Sequence, residues 1–228
     1  MNIPGARQLA VYDDLSAMSE AAARRIAALA QQAIALRGVF SIALAGGETP
    51  RRCYECLRRL PVAWAGVQVY FGDERCLPRG DAQRNDSMAY AALLKHVAIP
   101  SANVHAIAAE LGARDAAQSY AESLPQPFDL VLLGMGEDGH TASLFPGNPA
   151  TENPAAVVPV YDAPKPPPER VSLGMEALNA ARVKLFMVAG AGKRQALERI
   201  VHGAALPAAQ IHGAEWYVDR AACPDETD

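Results

Sequence analysis

Cysteine is scarce in this chain of 228 residues, which contains only Cys53, Cys56, Cys76 and Cys223. A chain of this length can bury most of its surface without cross-links, so we expect no disulfide scaffold and a reducing compartment. Cys53 and Cys56 form a C-x-x-C pair, but no second such pair and no closely spaced pair of histidines accompanies it. We therefore expect no structural metal site and no cofactor.

An excess of positive charge is also lacking. The 21 Lys and Arg residues face 25 Asp and Glu residues, which gives a net charge of 21 − 25 = −4, and no basic stripe is present. We therefore expect no nucleic-acid binding. The longest apolar stretch, residues 26–36, is interrupted by two glutamines and falls short of the roughly 18 residues of a membrane span. No apolar segment follows Arg7, so the start does not resemble a secretory signal and we expect a cytoplasmic protein.

What the sequence does contain is an alternation of helical and strand-like segments. Apolar residues recur every three or four positions from Leu15 to Leu36, which predicts a helix that ends at Gly38. Short apolar runs predict strands at Val39–Ala45, Val67–Gly72, Val104–Ile107, Phe128–Met135, Val183–Ala189 and Trp216–Asp219. Helices are predicted at Glu48–Leu60, Asp86–Val97, Ala113–Leu124 and Lys193–His202. The alternation predicts one α/β domain over residues 1–228, a mainly parallel Rossmann-like sheet with helices on both faces.

Polar or glycine-rich clusters follow four of these strands directly. They are AGGETP at residues 45–50, GDER at 72–75, GMGEDGHTASLFPG at 134–147 and GAGKR at 190–194. The carboxyl ends of parallel strands meet at one edge of a sheet, and ligands bind beyond that edge. We therefore expect the four clusters to form one rim.

The first and last clusters have the composition of a phosphate site. Gly46 and Gly47 allow a tight turn into a helix, whose first N–H groups, near Thr49, can face an anion. Lys193 and Arg194 can pair with the same phosphate from another strand end. The alternatives are an ordinary strand-to-helix turn and a solvated first helical turn.

Residues 134–139 match the G-x-G-x-x-G spacing of dinucleotide-binding proteins, but the surrounding sequence does not fit. That motif opens a long helix, whereas Pro146 interrupts this segment almost at once. An acidic residue is also needed about 20 positions further on, where this chain has Pro154. We therefore exclude NAD binding.

The same segment contains a candidate catalytic pair. His140 can act as a base near neutral pH if a carboxylate orients its ring, and either Asp138 or Asp73 could do so. The alternative is that His140 only hydrogen-bonds within its own loop. Arg75 can face an oxyanion or a carboxylate product, or it can form a structural ion pair.

Together the four clusters resemble the 6-phosphogluconolactonase family, within the larger group that includes glucosamine-6-phosphate isomerase/deaminase. The most specific segment is FDLVLLGMGEDGHTASLFPG, residues 128–147, because DGH followed by TASLFP resembles the lactonase branch. The resemblance continues through AGGETP, FGDER, Asn85, Arg170 and AGAGKR to the WYVD segment, so it covers nearly the whole chain.

The resemblance implies hydrolysis of 6-phospho-D-glucono-1,5-lactone to 6-phosphogluconate in the oxidative pentose phosphate pathway, without metal or other cofactor. It implies that His140 is the general base, that Asp138 or Asp73 orients it, and that Arg75 stabilises the developing charge. The implied substrate and phosphate binders are Gly46, Gly47, Thr49, Asn85, Arg170, Lys193 and Arg194. We expect a monomer whose only partner is its small sugar-phosphate substrate.

Two other functions remain open alternatives at this point. One is an amino-sugar phosphate isomerase/deaminase, which the TASLFP segment disfavours. The other is a non-catalytic sugar-phosphate sensor domain, for which no helix-turn-helix segment is found. The phosphate loop also departs from the usual SGGSTP pattern, since Ala45 and Glu48 replace two serines. Glu48 would repel a phosphate unless its side chain points away.

Overall fold

The computed structural model of the chain describes residues 1–125 and 127–224. Within these ranges the strands are β1 (Gln8–Tyr12), β2 (Phe40–Leu44), β3 (Val67–Phe71), β4 (Asp73–Arg75), β5 (Leu130–Gly134), β6 (Val157–Val160), β7 (Arg170–Leu173), β8 (Val183–Val188) and β9 (Glu215–Asp219). The α-helices are α1 (Leu15–Arg37), α2 (Glu48–Leu57), α3 (Asn85–Ala92), α4 (Ala113–Ala121), α5 (Met175–Ala180) and α6 (Arg194–Val201).

The main sheet has six parallel strands in the order β1-β9-β8-β5-β2-β3. Every residue of β2 and of β9 is buried. Successive side chains of a strand point to opposite faces, so complete burial means that the sheet is covered on both sides. The predicted α/β class with a mainly parallel sheet is confirmed.

Helix α1 shows how local sequence sets an element's limits. Asp14 caps its start by accepting a hydrogen bond from the N–H of Ala17 at 2.8 Å, and Gly38 ends it in a left-handed conformation. The buried side of α1, which includes Met18, Ile26 and Ala33, contributes to the core, as the three-to-four spacing predicts. No helix in the described part of the chain is long and apolar enough to cross a membrane.

A second sheet, antiparallel and in the order β4-β7-β6, was not predicted. Its strands have only three or four residues each, β4 is fully charged, and Pro159 interrupts β6, so none of them presents a recognisable apolar run. Register places Arg75 opposite Arg170, which is the first residue of β7.

Other element predictions need smaller corrections. Residues Val104–Ile107 do not form a strand, since only a single bridge joins Val104 to Val69. The helix predicted over Asp86–Val97 ends at Ala92 and is followed by a separate 3₁₀ turn. Strand β1 was missed because it is a half-exposed edge strand that pairs only with β9, so it lacks a continuous apolar run.

The strand order creates a crevice at the carboxyl ends of β2 and β5. The next strand of this sheet after β2 is β3, which lies on one side, whereas the next strands of this sheet after β5 are β8 and β9, which lie on the other side. Neighbouring strands whose connections diverge in this way leave a gap above the sheet, which is the usual ligand position in such folds. The four clusters follow β2, β3, β5 and β8, which are neighbours around this gap.

Candidate active site

A cavity of about 490 Å³ lies at this crevice and brings together all four clusters. Most of the predicted site residues line it: Gly46, Gly47, Thr49, Asp73, Arg75, Asn85, His140, Arg170 and Lys193. Asp138 does not line the cavity but contacts His140. Arg194 lies outside the lining, and its Nη2 donates to the carbonyl of Ala221 at 3.3 Å. The expectation of a shared rim is thus confirmed, with Arg194 not among its residues.

In the turn between β2 and α2, the backbone lies close to the side chain of Asn85. A Cβ atom on Gly46 would lie 1.9 Å from Oδ1 of Asn85, so no larger residue fits there without displacing that side chain. Gly47 precedes α2, and no side chain in the described residues caps this helix start. The first N–H groups of α2 therefore remain available to an anion at the cavity.

Tyr54 fixes the same turn from below and was missed in the sequence. Its hydroxyl donates to the carbonyl of Ala45 at 2.7 Å and accepts from the N–H of Ala45 at 2.9 Å. Burial raises the pKa of Tyr54 well above its ordinary value, so the hydroxyl stays protonated and keeps both hydrogen bonds. The available signal was an aromatic residue on the apolar side of α2.

Glu48 does not leave an unpaired negative charge in the phosphate loop. Its carboxylate accepts hydrogen bonds from Nε and Nη2 of Arg51 at 2.7 and 2.5 Å, back along α2. Hydrogen bonding to Arg51 lowers the pKa of Glu48, so the pair is ionic. The guanidinium offsets the charge that would otherwise oppose an anion, although the pair is exposed and its effect is screened by solvent.

His140 lies in a closed turn after β5. The N–H of Gly136 donates to the carbonyl of His140 at 2.8 Å, and the N–H of Gly139 donates to the carbonyl of Gly136 at 3.0 Å. Nδ1 of His140 lies 2.5 Å from Oδ1 of Asp138, and the ring packs against Phe145 with centroids 4.5 Å apart. The hydrogen bond at Nδ1 leaves Nε2 as the ring nitrogen available for proton transfer.

The turn depends on glycine at position 136. A Cβ atom there would lie 2.0 Å from Nδ1 of His140 and 2.5 Å from Oδ1 of Asp138. The imidazole and its carboxylate partner thus lie directly over the Gly136 backbone. This packing, rather than dinucleotide binding, accounts for the glycine at position 136.

Burial and charge set the protonation states of this pair. Burial lowers the pKa of His140 below its ordinary value, although the carboxylate of Asp138 opposes the shift. Burial would raise the pKa of Asp138, but the charge and hydrogen bonds of His140 outweigh it, so the pKa of Asp138 is lowered. A neutral imidazole held by an ionised carboxylate at neutral pH is the state that a general base requires.

The two candidate carboxylates have different partners. Asp73 does not hydrogen-bond the imidazole. Its Oδ2 accepts from the buried hydroxyl of Ser143 at 2.6 Å, and its Oδ1 accepts from Nδ2 of Asn85 at 3.1 Å. Of the two acids, Asp138 is therefore the one positioned to orient His140, and Ser143 is a partner of Asp73.

The guanidinium of Arg75 places a positive charge at the cavity wall. Its Nη1 donates to the carbonyl of Gln83, whereas its buried Nε has no hydrogen-bond partner among the described residues. Arg75 lines the cavity, and a guanidinium in a cavity wall is suited to an oxyanion.

The chain is similar to proteins of one family. The family described as glucosamine-6-phosphate isomerases/6-phosphogluconolactonase matches residues 13–218. A 6-phosphogluconolactonase of Streptomyces coelicolor is 38% identical to this chain, over 94% of this chain and 93% of that protein. The chain belongs to this glucosamine-6-phosphate isomerase/6-phosphogluconolactonase family.

Other members of the family show the same similarity. The 6-phosphogluconolactonase of Mycobacterium tuberculosis is 37% identical, over 92% of this chain and 94% of that protein. The crystal structure of a 6-phosphogluconolactonase from Thermotoga maritima has a TM-score of 0.87 at 28% identity, over 93% of this chain and 99% of that one. Both the sequence and the fold therefore match this family along nearly the whole chain.

Two lysines also contribute positive charge to the cavity lining. Lys193 is half-buried at the cavity, and burial lowers its pKa although the charge of Glu137 opposes the shift. Lys165, which we did not assign from the sequence, lines the cavity from the proline-rich segment. Lys165 lies between β6 and β7 of the small sheet, which was not predicted, so its spacing in the sequence offered no signal. In the part of the chain that the structure describes, no three His, Cys, Asp or Glu side chains cluster as metal ligands.

Proposed function

We propose that this chain hydrolyses 6-phospho-D-glucono-1,5-lactone to 6-phospho-D-gluconate, without a metal ion, as part of the oxidative pentose phosphate pathway. The observation that carries the proposal is the hydrogen bond between Asp138 and His140 at the wall of a cavity that also holds an uncapped helix start. Relatives named 6-phosphogluconolactonase at 37–38% identity support it.

In the proposed reaction, His140 removes a proton from a water molecule as the water oxygen attacks C1 of the lactone. The carbonyl π electrons move to the carbonyl oxygen, whose negative charge faces Arg75. When the carbonyl re-forms, the bond from C1 to the ring oxygen breaks, and the imidazolium returns its proton to that oxygen. Asp138 stabilises the imidazolium in between. A general base of this kind contributes about 10²- to 10⁴-fold.

The phosphate group supplies the positioning. The first N–H groups of α2, the hydroxyl of Thr49 and the ammonium group of Lys193 hold it at one end of the cavity. Fixing one end of a small sugar places C1 near His140, which converts binding free energy into a favourable attack geometry. Gly46 lets the backbone come close enough for these contacts, and Asn85 packs beneath it.

The deciding experiment is the variant His140→Ala, assayed after EDTA treatment. We expect lactone hydrolysis to fall about 10²- to 10⁴-fold, because the base is removed, while binding of 6-phosphogluconate stays within a few-fold. His96→Ala is the matched control, since His96 is exposed and its ring hydrogen-bonds the carbonyl of Ala91. Undiminished turnover in His140→Ala would remove the imidazole from the mechanism.

A parallel assay addresses the isomerase/deaminase alternative. The wild-type protein is incubated with glucosamine 6-phosphate and ammonia release is measured. We expect none above background, whereas the lactone assay is positive on the same preparation. Ammonia release without lactone hydrolysis would replace the proposed reaction, and inactivity in both assays combined with phosphate binding would favour a sensor.

A further inference from the structure

We propose that Lys165 is a second phosphate-binding cation at the mouth of the cavity, and that Arg170 is the positioning residue that holds it there. The inference rests on the proposed function, since it assigns Lys165 to the phosphate of the same sugar-phosphate substrate. It concerns the proline-rich loop, defined here as residues 164–168, which connects β6 to β7.

Arg170 contacts the proline-rich loop through most of its guanidinium. Nη2 donates to the carbonyls of Lys165 at 2.8 Å and Pro166 at 3.3 Å, and Nε donates to the carbonyl of Pro167 at 3.1 Å. The side chain is buried and lies over the ring of Phe145, 5.5 Å from its centroid. One planar guanidinium thus bonds three consecutive carbonyls, which a lysine could not reproduce.

The proline-rich loop needs such a partner. Prolines have no N–H, so Pro166, Pro167 and Pro168 cannot form a ladder of backbone hydrogen bonds. The N–H of Ala163 donates to the carbonyl of Pro168 at 3.0 Å and closes the loop. The three carbonyls between Lys165 and Pro167 take their hydrogen bonds from Arg170, so the position of Lys165 depends on that side chain.

Lys165 and Lys193 reach the same cavity from different elements. Lys165 comes from the proline-rich loop and Lys193 from the turn before α6. In addition to burial, the charge of Lys165 lowers the pKa of Lys193, which places the two ammonium groups within electrostatic reach of each other. Two like charges facing one cavity repel when it is empty, and an anion between them relieves the repulsion. A phosphate dianion fits this arrangement.

The charge of Lys165 also lowers the pKa of His140, so Lys165 is within electrostatic reach of both ends of the site, and we assign it to the phosphate end. The carbonyl end already has Arg75 and the His140–Asp138 pair. Lys165 is exposed on a loop at the cavity mouth, where the end of an extended sugar phosphate remains accessible. Assigning Lys165 to the phosphate predicts a substrate-specific effect on KM.

The test compares Lys165→Met on two lactones, 6-phospho-D-glucono-1,5-lactone and unphosphorylated D-glucono-1,5-lactone. We expect KM for the phosphorylated lactone to rise about tenfold with kcat within twofold, as for loss of one charge-assisted hydrogen bond, and no change with the unphosphorylated lactone. Lys165→Arg should restore most of the affinity. Lys95→Met, an exposed lysine outside the cavity lining, is the control. Equal losses on both lactones, or an unchanged KM, would overturn the assignment.

Arg170 is tested as a positioning residue by a double-mutant cycle. Lys165→Met, Arg170→Met and the double variant are compared by KM for the phosphorylated lactone, after circular dichroism has checked folding. If Arg170 acts partly through Lys165, the double variant loses less than the product of the two single effects. Multiplicative effects would show that Arg170 acts independently of Lys165 and would reject the positioning role.

A binding readout separates this inference from the proposed reaction. Isothermal titration of the wild-type protein and Lys165→Met with inorganic phosphate measures the subsite without turnover. A Kd raised about tenfold in Lys165→Met supports the subsite even if the chain fails to hydrolyse the lactone. An unchanged Kd, together with active lactone hydrolysis, would reject the subsite and leave the proposed function standing.

Discussion

His140 and Asp138 illustrate at the residue scale how burial and charge oppose each other. Burial lowers the imidazole pKa, and the carboxylate raises it without reversing the shift. The base form is therefore kept at pH values below the ordinary histidine pKa of about 6.5. At the same time the carboxylate stabilises the imidazolium that forms during the reaction. The imidazole is therefore unprotonated before the reaction and still able to accept a proton during it.

This balance predicts the pH dependence. A group that must be neutral is active above its folded-state pKa, so kcat/KM should fall on the acid side with a midpoint below about 6.5. Asp138→Asn should lower kcat and move this midpoint to still lower pH, because the larger of the two carboxylate charges that raise the His140 pKa is lost. Asp13→Asn, on the exposed surface, is the control. A midpoint that rises in Asp138→Asn would contradict the proposed pairing.

At the scale of secondary-structure elements, β4 and α3 are joined by a buried carboxylate. Glu74 of β4 accepts hydrogen bonds from the N–H groups of Asn85 and Asp86 at 2.7 and 2.8 Å, which caps the start of α3. Burial raises the pKa of Glu74 to about 7, although its backbone hydrogen bonds oppose the shift. This cap places Asn85 where its amide bonds Asp73 and underlies Gly46.

Arg84 supplies the compensating charge, and its loss is the test at this scale. Its guanidinium, 1% exposed, lies 3.8 Å from Glu74 and bonds Asp86 and Glu110. Arg84→Met should lower the free energy of unfolding by about 3–5 kcal/mol, because it leaves the buried carboxylate of Glu74 without its cation.

The cost should be larger at pH 8 than at pH 6, since protonation of Glu74 at the lower pH relieves the unpaired charge. Urea unfolding at the two pH values measures it. Arg79→Met removes an exposed partner of Glu110 and should cost less than about 1 kcal/mol. Equal effects of the two substitutions would contradict the account of the buried network.

At the scale of the whole molecule, ligand binding should stabilise the fold. The cavity is lined by residues from position 45 to position 193, drawn from both sheets and the proline-rich loop. A ligand that bridges them binds the folded chain only, so 6-phosphogluconate at 100 times its Kd should add about 2.7 kcal/mol. Thermal unfolding with and without ligand measures the shift. D-gluconate at the same concentration is the control, and an equal shift would argue against phosphate recognition.

The exposed apolar side chains of the described residues bear on whether the chain forms oligomers. Large exposed apolar side chains come from separate elements, as with Val11 in β1, Leu36 in α1, Tyr90 in α3 and Tyr161 after β6. Scattered exposed side chains are normal for a monomer and do not require a partner. We expect sedimentation to give a species near 24.2 kDa at micromolar concentration. A stable dimer would contradict this expectation.

The sequence by itself was sufficient for the parallel sheet and for the rim. Buried strands such as β2 and β5 are continuous apolar runs, and the residues that follow them must share one edge once the strands are parallel. The end of helix α1 at Gly38 could be predicted because a C-terminal cap is a local feature. Patterns of this kind are recorded within a few neighbouring residues, so they can be recognised without knowing the fold.

Tertiary structure decided which side chains of the rim meet. Both Asp73 and Asp138 were candidates for His140, and only the fold shows that Asp138 contacts the ring while Asp73 is bonded by Ser143 and Asn85. The small antiparallel sheet, the cavity position of Lys165 and the exclusion of Arg194 from the lining were likewise not predicted. These features depend on side-chain directions and on contacts between residues distant in the chain, which hydrophobic periodicity and spacing do not encode.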